Sequence, residues 1–278
     1  MSRRALALLS LCLCACGAGG TAPSGGESTV TVFAAASLSR VLPSELDAFA
    51  TAVRSPQRRI LADYEGTQAL LAKLEADPTL ADVFASADRA HMDEAVRRGL
   101  VETPRALAAN RLVIAVPPGN PAHITGLADL ARPGLRISLA DVSVPAGKYA
   151  EQTLQLAESR HDAPAGFAKA ALANVVTRQT QVETVVSDVA VGAVDAGIVY
   201  ASDAHGNSRI AAVSIPVADQ PAALYLVAVV KRAHDRSGAQ ALVDFLLSPA
   251  GQRVLVDAGF LPAPAAPPPT SSAAASSP

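Results

Sequence analysis

Ser37 closes the run TVFAAAS, which reads as a strand, and stands just ahead of a helical pattern. A hydrolase presents its serine nucleophile in such a place, on a sharp turn flanked by glycines and within reach of a histidine base. The surrounding AAASL has no glycine, and the one histidine placed late enough for such an order, His234, sits in a basic polar stretch. A serine hydrolase is therefore a distant alternative. His91, His123, His161, His205 and His234 are scattered, with no HExxH pair, and all three cysteines fall within the first sixteen residues, so a zinc set cannot be assembled. Neither GxGxxG nor GxxxxGK[ST] occurs, and PAGKYA has a Gly–Lys pair without the glycine-rich lead-in that cradles phosphates. No catalytic residue is assigned and no cofactor is expected.

A different chemistry is carried by several helix starts built from small or neutral residues. Ser37 precedes one, Gly66 with Thr67 another, Pro145, Ala146 and Gly147 a third, and Gln181 with Val182 a fourth. The first turn of a helix has N–H groups without intrahelical partners and a partial positive charge. Several such ends brought together make an anion site, to which Ser37, Thr67 and Tyr200 could add hydroxyl donors. Serine and threonine also cap helices for local reasons, so the anion reading depends on convergence.

The elements that must position these residues alternate along the chain. TVTVFAAA, RRILADYEG, ADVFASAD and NRLVIAVP read as strands, with SLSRVLPSELDAFATAV, TQALLAKLEA and RAHMDEAVRRG as helices between them and Ser37 or Ser39 placed to cap the first. The second section repeats the scheme. ITGLADLA reads as a short helix, LRISLAD, AGIVY, IAAVSIPVA and PAALYLVAVVKR as strands, and AGKYAEQTLQLAE and TQVETVVSDVAVG as helices, with one or two closing helices after residue 236. This βαβα succession with short loops predicts an α/β fold with helices over mostly parallel sheet. Periodicity alone leaves one domain or two lobes open.

The chain has 278 residues, half of them hydrophobic but only 4% aromatic and none tryptophan, so the core is built from Ala, Val, Leu and Ile. The net charge of -2 and the lack of an arginine stripe or aromatic platform exclude a nucleic-acid footprint. Basic MSRR followed by ALALLSLCLCA reads as an export signal, too short to span a bilayer. LCAC resembles the lipobox of bacterial lipoproteins, which implies acylation of Cys16 and a membrane anchor. Residues 1–16 are thus expected to be signal and lipobox, 17–28 a Gly/Ser-rich tether, and 262–278 a disordered Pro/Ala/Ser tail.

Taken in order, TVFAAASL, ADVFASAD, NRLVIAVP, VPAGKYA and AGIVYASDA resemble the molybdate-binding proteins of bacterial ABC importers, over about Thr29 to Phe260. The resemblance implies a type II periplasmic-binding-protein fold, two α/β lobes around a ligand cleft. Residues 29–110 with 224–261 would form one lobe and 111–223 the other. It implies a non-enzymatic, monomeric receptor, in the periplasm or on the outer face of the cell membrane, that delivers molybdate or tungstate to a permease. Carried over one by one, the contacts would be the hydroxyls of Ser37, Thr67 and Tyr200 and the backbone N–H groups of Ala146 and Val182, holding the metal through its oxygens. Sulfate, phosphate or a small organic acid on the same fold is the alternative. Glu65–Gly66–Thr67–Gln68 departs from the family's run of small residues, and Glu65, which would repel a dianion, is expected to face solvent. Lys148 beside Ala146 is read as a solvent lysine.

Overall fold

The structure, a computed structural model, describes residues 28–53 and 58–263. The expected signal with Cys16, the tether up to residue 27 and the tail from residue 264 lie outside the described residues. Strand β1 (Ser28–Ala35) begins one residue inside the stretch read as tether.

Two five-stranded sheets form the molecule. The first has the order β2-β1-β3-β10-β4, built from β1, β2 (Arg58–Glu65), β3 (Val83–Ser86), β4 (Arg105–Asn110) and β10 (Ala223–Val229). The second has the order β7-β6-β8-β5-β9, built from β5 (Leu112–Val116), β6 (Ile137–Ala140), β7 (Val175–Gln179), β8 (Ala196–Tyr200) and β9 (Ala211–Ser214). The sheets are mixed, which corrects the expectation of mostly parallel sheet. In the first, β1 runs parallel to β2 and β3 while β10 is antiparallel to β3 and β4. In the second, β6 is parallel to β7 and β8 while β5 is antiparallel to β8 and β9. The chain crosses between sheets twice, directly from β4 into β5 and back from β9 to β10. Strands that enter a sheet from such a crossing are not fed by a helical crossover from their neighbour, so nothing requires them to run parallel to it.

The period-two alternation of the strands sorts the core of the first sheet. Phe33, Phe84 and Leu226 point to one face, where they pack with Leu70, Leu71, Leu74 and Met92 from α2 (Thr67–Ala76) and α3 (Arg89–Arg97). Val32, Val83 and Val227 belong to the larger core shared with α1 (Leu42–Val53), α8 (Arg236–Leu246) and α9 (Pro249–Asp257). The second sheet is covered by α4 (Pro145–Ser159) and α6 (Val182–Ala190), with α5 (Phe167–Ala173) against α4. Among the described residues no helix is long and apolar enough to cross a membrane.

Three local readings need correction. The segment after Ser37 is not one helix but a 3₁₀ turn, Ala36–Leu38, followed by α1. Ser37 therefore sits inside the turn and caps nothing. ITGLADLA forms a 3₁₀ segment, Leu127–Ala131. Strand β4, RALAAN, was not expected, because its alanines have low strand preference and its conformation comes from pairing with β10.

Candidate ligand-binding site

All five residues singled out as contacts, Ser37, Thr67, Ala146, Val182 and Tyr200, line one small cavity. Each is at least 95% buried. The first sheet supplies the turn at the end of β1 and the start of α2. The second supplies the starts of α4 and α6 and the last residue of β8. Ala35 and Ala36 form part of the wall, so the small side chains at the end of β1 let backbone, rather than side chain, face the cavity. Ala87, Val144 and Gln181 also line it. No lining residue carries a charge.

The helix starts here differ from those elsewhere in the molecule. Asp88, Asp235 and Ser248 cap α3, α8 and α9 by accepting from backbone N–H groups. Helix α5 has no cap of its own, but the Glu158 carboxylate accepts from the N–H groups of Gly166 and Ala168 at 2.8 Å. The 3₁₀ turn at Ser37 and helices α2, α4 and α6 have no side-chain cap at all. Their N-cap positions are Ala35, Gly66, Val144 and Gln181, of which three have no side chain able to accept. All four of these uncapped starts face the cavity; the 3₁₀ segments Leu127–Ala131 and Val217–Asp219 also lack a side-chain cap and lie elsewhere.

The hydroxyl groups complete this donor set. Burial raises the Tyr200 phenol well above its ordinary pKa, so it stays protonated, and its oxygen has no hydrogen-bond partner among the described residues. A buried phenol without a partner is costly unless something else satisfies it. Thr67 Oγ1 accepts from the backbone N–H of Ala87 at 3.2 Å, leaving its own hydrogen free. It stands at the first position of α2 after Gly66, so its hydroxyl is not the helix cap. Ser37 Oγ accepts from the Tyr225 hydroxyl at 2.8 Å. No histidine fills that position, so the serine lacks the base a nucleophile requires.

Acidic groups are held back from the cavity. Lys73 Nζ lies 2.7 Å from Glu65 Oε1 and 2.8 Å from Asp63 Oδ2, and Glu65 does not reach the lining. The side chain is half-buried rather than fully solvated, with its charge matched by the lysine. Lys148 is exposed, as expected. In the first turn of α6 the carboxylate oxygens of Glu183 are buried without a partner among the described residues, and burial raises the pKa to about 7. Asp203, which accepts from the Tyr200 N–H at 3.0 Å, is pushed well up by burial and by Glu183. Tyr225 was missed at the level of sequence. A tyrosine in the apolar run AALYLVAVV reads as core, and its one signal was being among only four tyrosines in the chain.

A fold of two mixed sheets with a buried, uncharged, donor-lined cavity between them is that of an extracytoplasmic receptor of the type II periplasmic-binding architecture. Residues 30–261 match the family model for bacterial extracellular solute-binding proteins, and the chain belongs to that family, a non-catalytic one of transport proteins. It is related to the molybdate-binding ModA components of ABC transporters. The molybdate-binding protein ModA of Mycobacterium tuberculosis is 34% identical over 240 residues, 86% of each chain. The Escherichia coli protein of the same name is 28% identical over 94% of this chain and 99% of its own. Among solved structures, the sulfate-binding protein SubI of M. tuberculosis superposes with a TM-score of 0.73 at 19% identity, covering 84% of this chain and 87% of its own. At that identity the likeness shows the fold.

Proposed function

We propose that this protein captures molybdate or tungstate outside the cytoplasm and delivers it to the permease of an ABC importer. The observation that carries the reading is the set of uncapped helix starts around the unpartnered Tyr200 hydroxyl. Ser37, Thr67 and Tyr200 would donate through hydroxyls, and Ala146 and Val182 through backbone N–H groups. Neutral donors in a dry cleft form charge-assisted bonds to a dianion, and the absence of a fixed counter-ion leaves no ion pair to resist release. Molybdate and tungstate are fully deprotonated near neutral pH, whereas phosphate carries a proton that needs an acceptor. Sulfate shares the charge but is smaller, so donors spaced for the larger anion cannot all reach it. The names of the relatives at 28–34% identity favour molybdate, while a sulfate-binding protein shares the fold.

In this reading residues 29–110 with 224–261 form one lobe and 111–223 the other, and a bridging anion favours the closed arrangement. The receptor acts as a monomer in the periplasm or on the outer face of the cell membrane, tethered through acylated Cys16. Mass spectrometry of the exported protein is expected to find acyl groups on Cys16; an unmodified N-terminus would remove the anchor. Calorimetric titration is expected to give tight binding of molybdate and tungstate, with sulfate and phosphate far weaker. Ser37→Ala combined with Tyr200→Phe should cost a few kcal/mol, at roughly 1.5–3 per hydrogen bond to a charged partner. Equal affinity for sulfate would refute the size argument, and an unaffected double variant would put the ligand elsewhere.

A further inference from the structure

We propose that Gln68 is a positioning residue, a latch that ties the two sheets together beside the cavity on the side remote from the crossing strands, and that it sets how fast a bound ligand leaves. The proposal rests on the receptor reading above. Gln68 is the second residue of α2, next to Thr67 in the cavity wall. Its Nε2 donates to the Thr180 carbonyl at 3.1 Å, 112 residues away in the loop between β7 and α6. A carbonyl can only accept, so the amide is held in this one orientation. Thr180 runs straight into Gln181 and Val182, which belong to the wall supplied by the second sheet. The bond thus joins two of the helix starts that face the cavity, one from each sheet.

Topology gives this bond its leverage. The strands that carry the two crossings, β4 and β10 in the first sheet and β5 and β9 in the second, lie together at one edge of each sheet. Strands β2 and β7 form the opposite edges, and α2 and the loop holding Thr180 start from their ends. A rotation about the crossings separates these far edges most. Arg40 also bridges the sheets, through the Asp203 carbonyl on α7 (Ala201–Ala204). That helix is itself tied to Arg111, between β4 and β5, by the Ala201 N–H at 2.8 Å, so the Arg40 bond sits by the hinge. The seat of the Gln68 amide is built for it. A Cβ on Gly66 would lie 2.6 Å from Gln68 Oε1 and 2.8 Å from the Thr180 carbonyl oxygen, so the amide fills the space a side chain would take. Gln68 Oε1 is buried there without a hydrogen-bond partner among the described residues. In water both ends of the amide would be satisfied, so this seat is favourable only while the sheets stand together. The latch forms after the ligand has entered and acts on its departure.

The test separates release from capture. Radiolabelled molybdate is loaded and its loss followed in excess unlabelled molybdate, while calorimetry gives the affinity; the two together give the association rate. Gln68→Met keeps the length of the side chain but cannot donate. It is expected to release molybdate about fivefold faster, the worth of one neutral hydrogen bond, with association unchanged. Gln68→Asn keeps the amide but is one methylene too short to reach Thr180, and is expected to behave in the same way. Gln68 is half-buried and lies outside both apolar cores, so both variants are expected to fold. Unchanged release in either variant, or affinity lost through slower association, would overturn the latch while leaving the anion reading in place. A wild-type protein that takes no molybdate would overturn the anion reading and the release role of Gln68 with it.

Discussion

Glu45 lies on the buried stripe of α1 with Leu42 and Phe49, and neither of its carboxylate oxygens has a hydrogen-bond partner among the described residues. Burial raises its pKa from 4.5 to about 8. The folded protein therefore keeps the proton through neutral pH while the unfolded chain releases it above about 4.5, so the group erodes stability progressively between those values. Glu45→Gln, which removes the titration but keeps the shape, is expected to change stability little at pH 5. At pH 8 it should raise stability by a few kcal/mol, following ~1.4 per pH unit across the window. Urea unfolding at the two pH values checks this, and an equal effect at both would show that the carboxyl has an ordinary pKa. At this scale much of the candidate site could be read from sequence, because small residues and hydroxyls at helix starts leave a local signature. Tyr225 could not be read, since its importance lies in a contact between β10 and the Ser37 turn that no local pattern encodes.

The helices that face the cavity are anchored by unusually close backbone packing. A Cβ added to Gly147, in the first turn of α4, would fall well inside contact distance of the carbonyl oxygens of Asp141 and Ala140. Those atoms are backbone and cannot swing away, so the side chain would lever the start of α4 off the end of β6. Gly147→Ala is expected to cost ~1–3 kcal/mol in thermal unfolding and to weaken anion binding by shifting the neighbouring Ala146 N–H. An unchanged melting temperature would show that the loop after β6 yields. Gly66 plays a related part at α2, where an added Cβ would crowd the carbonyl of Thr180 in the loop between β7 and α6. The type of most elements was legible from apolar periodicity, and the end of β8 at Tyr200 was placed correctly. Strand directions were not legible, because periodicity reports which face is buried and says nothing about where a strand enters its sheet.

Across the whole molecule, the two sheets meet through polar bonds as well as through the cavity. Arg40 Nη1 donates to the Asp203 carbonyl at 2.5 Å, and Gln68 Nε2 to the Thr180 carbonyl at 3.1 Å. Helix α6 packs against the turn at Ser37. None of these contacts has a sequence signature, which is why composition and periodicity leave the number of lobes open. The order of strands in the first sheet carries its own consequence. Strand β10 lies between β3 and β4 yet is the last of the ten strands in chain order, made after every strand of the second sheet. Any nascent or truncated chain ending before Ala223 exposes two raw strand edges where β10 belongs, and the first sheet cannot close until the distant strand arrives.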